Sequence, residues 1–131
     1  MVVKRPSLLI TDDDRDFRET LRGVFEPRGC RTLLAGDGEE ALEIVRREEV
    51  HLVLLDMHMP RLSGLDTIRL VKQLRDSLPC ILMSAGLDDA LAEQARRADA
   101  YFVLSKPVRF EVITRVVDAA LQRFFRQSLD S

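Results

Sequence analysis

Cysteine is nearly absent from this sequence. Cys30 and Cys80 are the only two in 131 residues, and both lie at the edges of apolar runs without metal-ligand spacing. They read as buried thiols in a reducing compartment, not as a disulfide framework or a thiolate metal site. No apolar stretch approaches the roughly 20 residues needed to cross a bilayer. The start, Met1-Val2-Val3-Lys4-Arg5-Pro6, lacks the apolar segment of a secretory leader. The expectation is therefore a cytoplasmic chain. Neither charge dominates: the net charge is −2, with acids and bases interspersed, so no basic field marks a nucleic-acid or membrane surface. Repeats, linkers and low-complexity segments are missing as well. What remains is 46% apolar and 32% charged, too hydrophobic for disorder and long enough for one core without cross-links.

Short apolar runs alternate with amphipathic stretches five times. The runs are Leu8-Leu9-Ile10, Thr32-Leu33-Leu34, Leu52-Val53-Leu54-Leu55, Ile81-Leu82-Met83 and Tyr101-Phe102-Val103-Leu104. Each is too short for a helix, and several are apolar at consecutive positions, as strands buried on both faces of a parallel sheet are. Helical stripes lie between them. Phe17, Leu21, Val24 and Phe25 form the first, ending near Pro27 and Gly29; Ala41, Leu42 and Val45 form the second. Leu65, Ile68, Val71 and Lys72 begin a third that closes before Pro79. Leu87, Leu91 and Ala95 mark a fourth, and Val112, Ile113, Val116, Val117, Ala120, Leu121, Phe124 and Phe125 the last. The pattern predicts an α/β fold, a doubly wound five-stranded parallel sheet with five helices and right-handed crossovers. It is expected to form a single domain over 1–131, with its core at about 7–125 and no output domain. In such a sheet ligands sit outside the carboxyl ends of the strands.

Those ends carry the chemistry. The first run is followed by Asp12-Asp13-Asp14, the third by Asp56, the fourth by Ser84 and the fifth by Ser105-Lys106-Pro107. Only the second, at Ala35-Gly36, lacks such a group. Taken singly, each has a plainer reading. An acid after a strand can cap the next helix, and Asp14 suits that role; a lone Ser84 is a loop hydroxyl and a lone Lys106 a solvated charge. Together they point elsewhere. Crowded carboxylates repel unless a cation is present, and oxygen donors without His or Cys suit Mg²⁺ or Mn²⁺. Asp56 is then the natural nucleophile toward a phosphoryl group. Asp12, Asp13 and Asp56 bring three negative charges, balanced by a dication and Lys106, and phosphoryl transfer depends on such neutralisation. Ser84 and Lys106 are placed to bind the incoming phosphoryl oxygens.

These segments carry a family resemblance over about residues 7–125. Leu8-Leu9-Ile10-Thr11-Asp12-Asp13-Asp14 with Arg18, Leu54-Leu55-Asp56-Met57-His58-Met59-Pro60 with Gly64, Met83-Ser84-Ala85, and Ser105-Lys106-Pro107 occur in order. The chain resembles the response-regulator receiver domains of bacterial two-component signalling, the CheY-like superfamily with its flavodoxin-like (βα)5 fold. The resemblance implies metal binding by Asp12, Asp13, Asp56 and the backbone carbonyl of His58, with phosphorylation on Asp56. It further implies a switch hydroxyl at Ser84, the family lysine at Lys106 and a cis Lys106-Pro107 bond. The implied role is a signalling switch, not an enzyme beyond slow loss of its own phosphoryl group. Its partners would be a sensor histidine kinase or phosphotransfer protein and a downstream protein. Two positions depart from the family pattern. Val103 stands where an aromatic switch residue is usual, with Tyr101 two residues earlier on the same strand face as a candidate substitute. Asp99 stands where glycine is common, before Ala100.

The same residues admit competing readings. Gly36-Asp37-Gly38-Glu39-Glu40-Ala41 matches a loose dinucleotide-binding pattern, but its acids would repel a pyrophosphate, and a turn before an acid-rich helix start explains it. A haloacid-dehalogenase-type phosphohydrolase would use Asp12 as nucleophile, leaving Asp56 to Pro60 unexplained. A receiver fold acting as an interaction module without phosphorylation is the remaining alternative. The His58 ring is read as a flank of the pocket beside Gly86, tuning phosphoryl loss, instead of as a metal ligand. Phe124 and Phe125 lie where the sheet runs out, so one of them is a candidate for a homodimer surface through the last helix and fifth strand.

Overall fold

The computed structural model describes residues 4–125. Five strands, β1 (Ser7–Thr11), β2 (Arg31–Ala35), β3 (Leu52–Asp56), β4 (Cys80–Ser84) and β5 (Phe102–Ser105), alternate with five helices. These are α1 (Arg15–Phe25), α2 (Gly38–Arg47), α3 (Gly64–Leu74), α4 (Asp89–Arg97) and α5 (Phe110–Ala120), the last continued by a π-helical turn at Leu121–Phe125. All strand pairs are parallel, in the order β2-β1-β3-β4-β5.

Alternation along each strand divides the core into two layers. Leu8, Ile10, Leu52, Leu54, Ile81, Met83 and Leu104 meet α1 and α5 on one face. Leu9, Val53, Leu55, Cys80 and Leu82 meet α2, α3 and α4 on the other. β1, β3 and β4 are buried at every position, which is why their sequences run apolar without alternation. Cys30 and Cys80 are both buried free thiols, and burial pushes the Cys80 thiol up to about 12.

Local chemistry sets the helix starts. Asp14, Asp37, Ser63 and Asp88 cap α1 to α4 by accepting hydrogen bonds from backbone N–H groups in the first turn. Asp37 ahead of Glu39 and Glu40 makes the Gly36–Ala41 segment a capped, acid-rich helix start. One sequence expectation is corrected: Leu87 precedes α4 and is exposed, because Asp88 starts the helix after it. Of the two terminal aromatics, Phe125 is buried edge-on to His51, whereas Phe124 stacks edge-on to Tyr101 and stays half-buried.

Candidate functional site

β1 and β3 are neighbours at the centre of the sheet, and the strand order reverses between them, so their carboxyl ends frame the crevice where such sheets bind ligands. Thr11 pairs with Leu55 in the ladder. The next residue on each strand is therefore Asp12 beside Asp56. Both are nearly fully buried, while Asp13 is exposed. One carboxylate oxygen from each of Asp12, Asp13 and Asp56 lies within 4.8 Å of the others. The His58 ring stands outside this cluster, with Nε2 3.8 Å from the point where a Cβ on Gly86 would lie.

Lys106 arrives from the end of β5. Its Nζ lies 2.9 Å from Asp12 Oδ2 and 3.1 Å from Asp56 Oδ1, bridging the two buried acids. Burial opposes charge on this ammonium, but its hydrogen bonds to Asp12 and Asp56 outweigh that cost, and its pKa lies above the ordinary lysine value. Burial pushes the Asp12 carboxyl upward, with the Asp56 charge acting in the same direction. The Asp14 N–H, which donates to Asp12 Oδ1 at 2.9 Å, and Lys106 pull it back only in part. Two buried acids thus share one cation, and the site is short of positive charge. An all-oxygen cluster of this kind fits a hard dication such as Mg²⁺.

The surrounding backbone is fixed by specific bonds. Asp12 N–H donates to Ala35 O at 3.1 Å, and Arg18 Nη1 donates to Asp12 O at 2.6 Å. Ser84 is fully buried, and its Oγ accepts from Gly86 N–H at 3.0 Å. Lys106 N–H donates to Ser84 O, joining the ends of β4 and β5. The Lys106–Pro107 bond is cis. Gly64 lies so close to the end of β3 that a Cβ there would collide with the Asp56 carbonyl oxygen and approach Leu82 Cδ1 to 2.7 Å.

The two departures resolve differently. Tyr101 does not share a face with Val103: Val103 packs with the α2–α4 layer and Tyr101 with the α1–α5 layer. Tyr101 precedes the first ladder pair of β5, Ile81 with Phe102, so strand alternation does not bind it, and Phe124 draws it to the other face. Asp99 takes a left-handed conformation with φ 63°, the position after α4 that glycine favours. Two site neighbours, and one brace far from the site, had escaped the sequence reading. Phe17 places its ring 4.7 Å from Lys106 Nζ. Arg61, with φ 67°, ties the loop after β3 to the α2 cap through Asp37 Oδ2 at 2.9 Å. His51 braces the opposite end of the sheet, where its Nδ1 accepts from Ser7 N–H at 2.8 Å. None of the three contacts left a signal in the sequence, because each joins segments far apart along the chain.

Residues 8–118 match the family described as the response regulator receiver domain. Response regulator MprA of Mycobacterium leprae is 37% identical over 118 residues, covering 88% of this chain and 51% of that protein. Transcriptional regulatory protein AfsQ1 of Streptomyces coelicolor is 34% identical over 128 residues, covering 96% of this chain and 56% of that protein. The chain thus spans about half the length of these curated relatives. Chemotaxis protein CheY4 of Vibrio cholerae has the same fold, with a TM-score of 0.86 at 19% identity over 90% of this chain and 100% of that one. A response regulator receiver protein from Pseudomonas putida gives a TM-score of 0.84 at 29% identity, covering 90% of this chain and 99% of that one. Together with the acidic crevice at the centre of the sheet, these matches show that the chain belongs to the response regulator receiver family, the signalling switches of two-component systems.

Proposed function

We propose that Asp56 accepts a phosphoryl group, in the cytoplasm, from the phosphohistidine of a sensor histidine kinase or phosphotransfer protein, or from a small phosphodonor. The observation that carries this reading is the buried pair Asp12 and Asp56 at the switch point, bridged by Lys106 and bordered by Asp13. Asp12, Asp13, Asp56 and the backbone carbonyl of His58 would hold Mg²⁺ or Mn²⁺. Bound there, the dication neutralises the acids and the charge on the transferring phosphoryl oxygens.

The protein's own groups do the rest. Asp56 Oδ forms a bond to phosphorus as the bond from phosphorus to the donor nitrogen or oxygen breaks, and the donor leaves with its electron pair and takes up a proton. Lys106 keeps the positive charge an ordinary lysine has at neutral pH, since its carboxylate partners outweigh the cost of burial, so it can meet a phosphoryl oxygen after leaving the Asp56 carboxylate. Ser84 supplies a hydroxyl donor from the end of β4. Later attack by water on phosphorus breaks the bond to Asp56 and releases phosphate. This autodephosphorylation is the only enzyme-like activity proposed.

The phosphorylated state acts by favouring one of two arrangements of the loops and the face around β5. A full reversal from 1:99 to 99:1 requires about 5.5 kcal/mol of preference. The downstream target of this receiver surface is a protein. β5 is an edge strand with Phe102 46% exposed, which supports a homodimer through β5 and α5. Intact mass after incubation with acetyl phosphate and Mg²⁺ tests the acceptor. One added phosphoryl group that requires Mg²⁺ and disappears in Asp56→Asn is expected. No addition, with Mg²⁺ binding verified separately, would favour an interaction module without phosphorylation; labelling of Asp12 would favour the hydrolase.

A further inference from the structure

The ammonium of Lys106 has a third neighbour besides Asp12 and Asp56. Phe17, in the first turn of α1, presents its ring to Nζ at 4.7 Å from the ring centroid. An ammonium carries three N–H donors and no acceptor. The two carboxylates engage it on one side, and the negative face of the ring attracts it on another without competing for a directed hydrogen bond. The backbone that carries the ring is fixed, because the Phe17 N–H donates to Asp14 Oδ1 at 3.2 Å in the α1 cap. Phe17 also packs against the α1–α5 core layer. Packing alone would be served by any apolar side chain of similar size, whereas attraction of the cation requires the π face.

We propose that Phe17 is a positioning residue whose ring holds the Lys106 ammonium between Asp12 and Asp56, where it meets an incoming phosphoryl group. The inference rests on the acceptor reading of Asp56. Lys106 has a flexible four-carbon stem and a side chain one-quarter exposed. Without the ring, water competes for the ammonium on its open side, and fewer molecules have it placed for transfer.

Two readouts test this on the full chain. In wild type, ring-current shielding moves the Lys106 ε-methylene proton resonances upfield; Phe17→Leu abolishes the shift and Phe17→Tyr keeps it. In parallel, phosphoryl uptake from acetyl phosphate with Mg²⁺ is followed by intact mass against time. Phe17→Leu is expected to slow uptake roughly three- to tenfold, the effect of losing one cation–π contact, and Phe17→Tyr to restore it. In a Lys106→Met background Phe17→Leu should change nothing further, since it acts through the ammonium. Phe17→Met serves as the second apolar variant if the leucine protein is poorly folded. Uptake by folded Phe17→Leu at the wild-type rate, or an undiminished effect in the Lys106→Met background, would overturn the proposal. If wild type takes up no phosphoryl group, the acceptor reading fails, and an unshifted Lys106 resonance would refute the ring contact separately.

Discussion

Two glycines in the same chain should respond to alanine in opposite directions. Gly64 is the first residue of α3, and its N–H donates to Met57 O at 2.9 Å. A methyl group there would overlap the Asp56 carbonyl oxygen, and would lie 2.7 Å from Leu82 Cδ1 and 2.9 Å from the Asp56 carbonyl carbon. None of these can yield cheaply. Leu82 is fully buried on β4, and the Asp56 carbonyl ends the central strand that carries the candidate acceptor. Relief requires α3 to lift away from β3, and overpacking of that kind costs about 2–3 kcal/mol. For a domain of this length that is a fall in Tm of roughly 6–12 °C. Gly23 lies on the exposed side of α1, and nothing comes within 4 Å of a Cβ built there. Gly23→Ala should therefore stabilise by about 0.5–1 kcal/mol through helix propensity. Urea unfolding of the two variants beside wild type measures both signs. Gly64→Ala should also weaken Mg²⁺ binding, because the β3–α3 loop shifts with the helix; with no tryptophan in the chain, calorimetry is the suitable probe. A Gly64→Ala protein within about 0.5 kcal/mol of wild type would refute the argument from close approach, as would equal losses in both variants.

Three further outcomes follow from particular sites. Asp99→Gly should stabilise by about 0.5–1 kcal/mol in urea unfolding, because glycine relieves the left-handed backbone; the exposed Asp99 carboxylate, 3.6 Å from Lys72 Nζ, makes a long ion pair that offers little to lose, and a destabilised variant would contradict this. Burial lowers the His51 pKa below its ordinary value, partly offset by Glu49. The unfolded chain therefore binds more protons than the folded one just below the ordinary histidine pKa of about 6.5. The stability that neutral His51 contributes is full above that pH and is lost as pH falls toward the folded pKa. The stability difference between wild type and His51→Gln should shrink over that window, and a constant difference from pH 8 to 5 would refute it. His58→Asn should change the dephosphorylation rate several-fold, read as decay of the phosphorylated mass, since the ring borders Gly86 at the mouth of the pocket; an unchanged rate would remove His58 from that role.

The fold was legible because burial on both faces leaves a plain trace. β1, β3 and β4 run apolar without interruption, and Asp56 follows its run so abruptly that the end of a central strand is marked by one residue. The same abruptness exposed the candidate site, since chemistry in this architecture gathers at the residues where apolar runs stop. Boundaries were less legible where an alternative cap was close at hand. Leu87 carried helical spacing, yet Asp88 started α4 after it.

What escaped the sequence was set by packing partners far along the chain. Strand alternation predicts that Tyr101 shares a face with Val103, but alternation holds only inside a ladder, and β5 begins one residue after Tyr101. Outside the ladder the ring went to its best aromatic neighbour, Phe124, which the π-helical turn after α5 carries to the foot of the sheet. Phe17 reads as an ordinary core position, and it is one; its second contact exists only because Lys106, the residue after β5, meets the first turn of α1. Periodicity names the face a residue takes and cannot name what meets it there. For that reason the acids of this site could be read from sequence, whereas the ring set against the Lys106 ammonium could not.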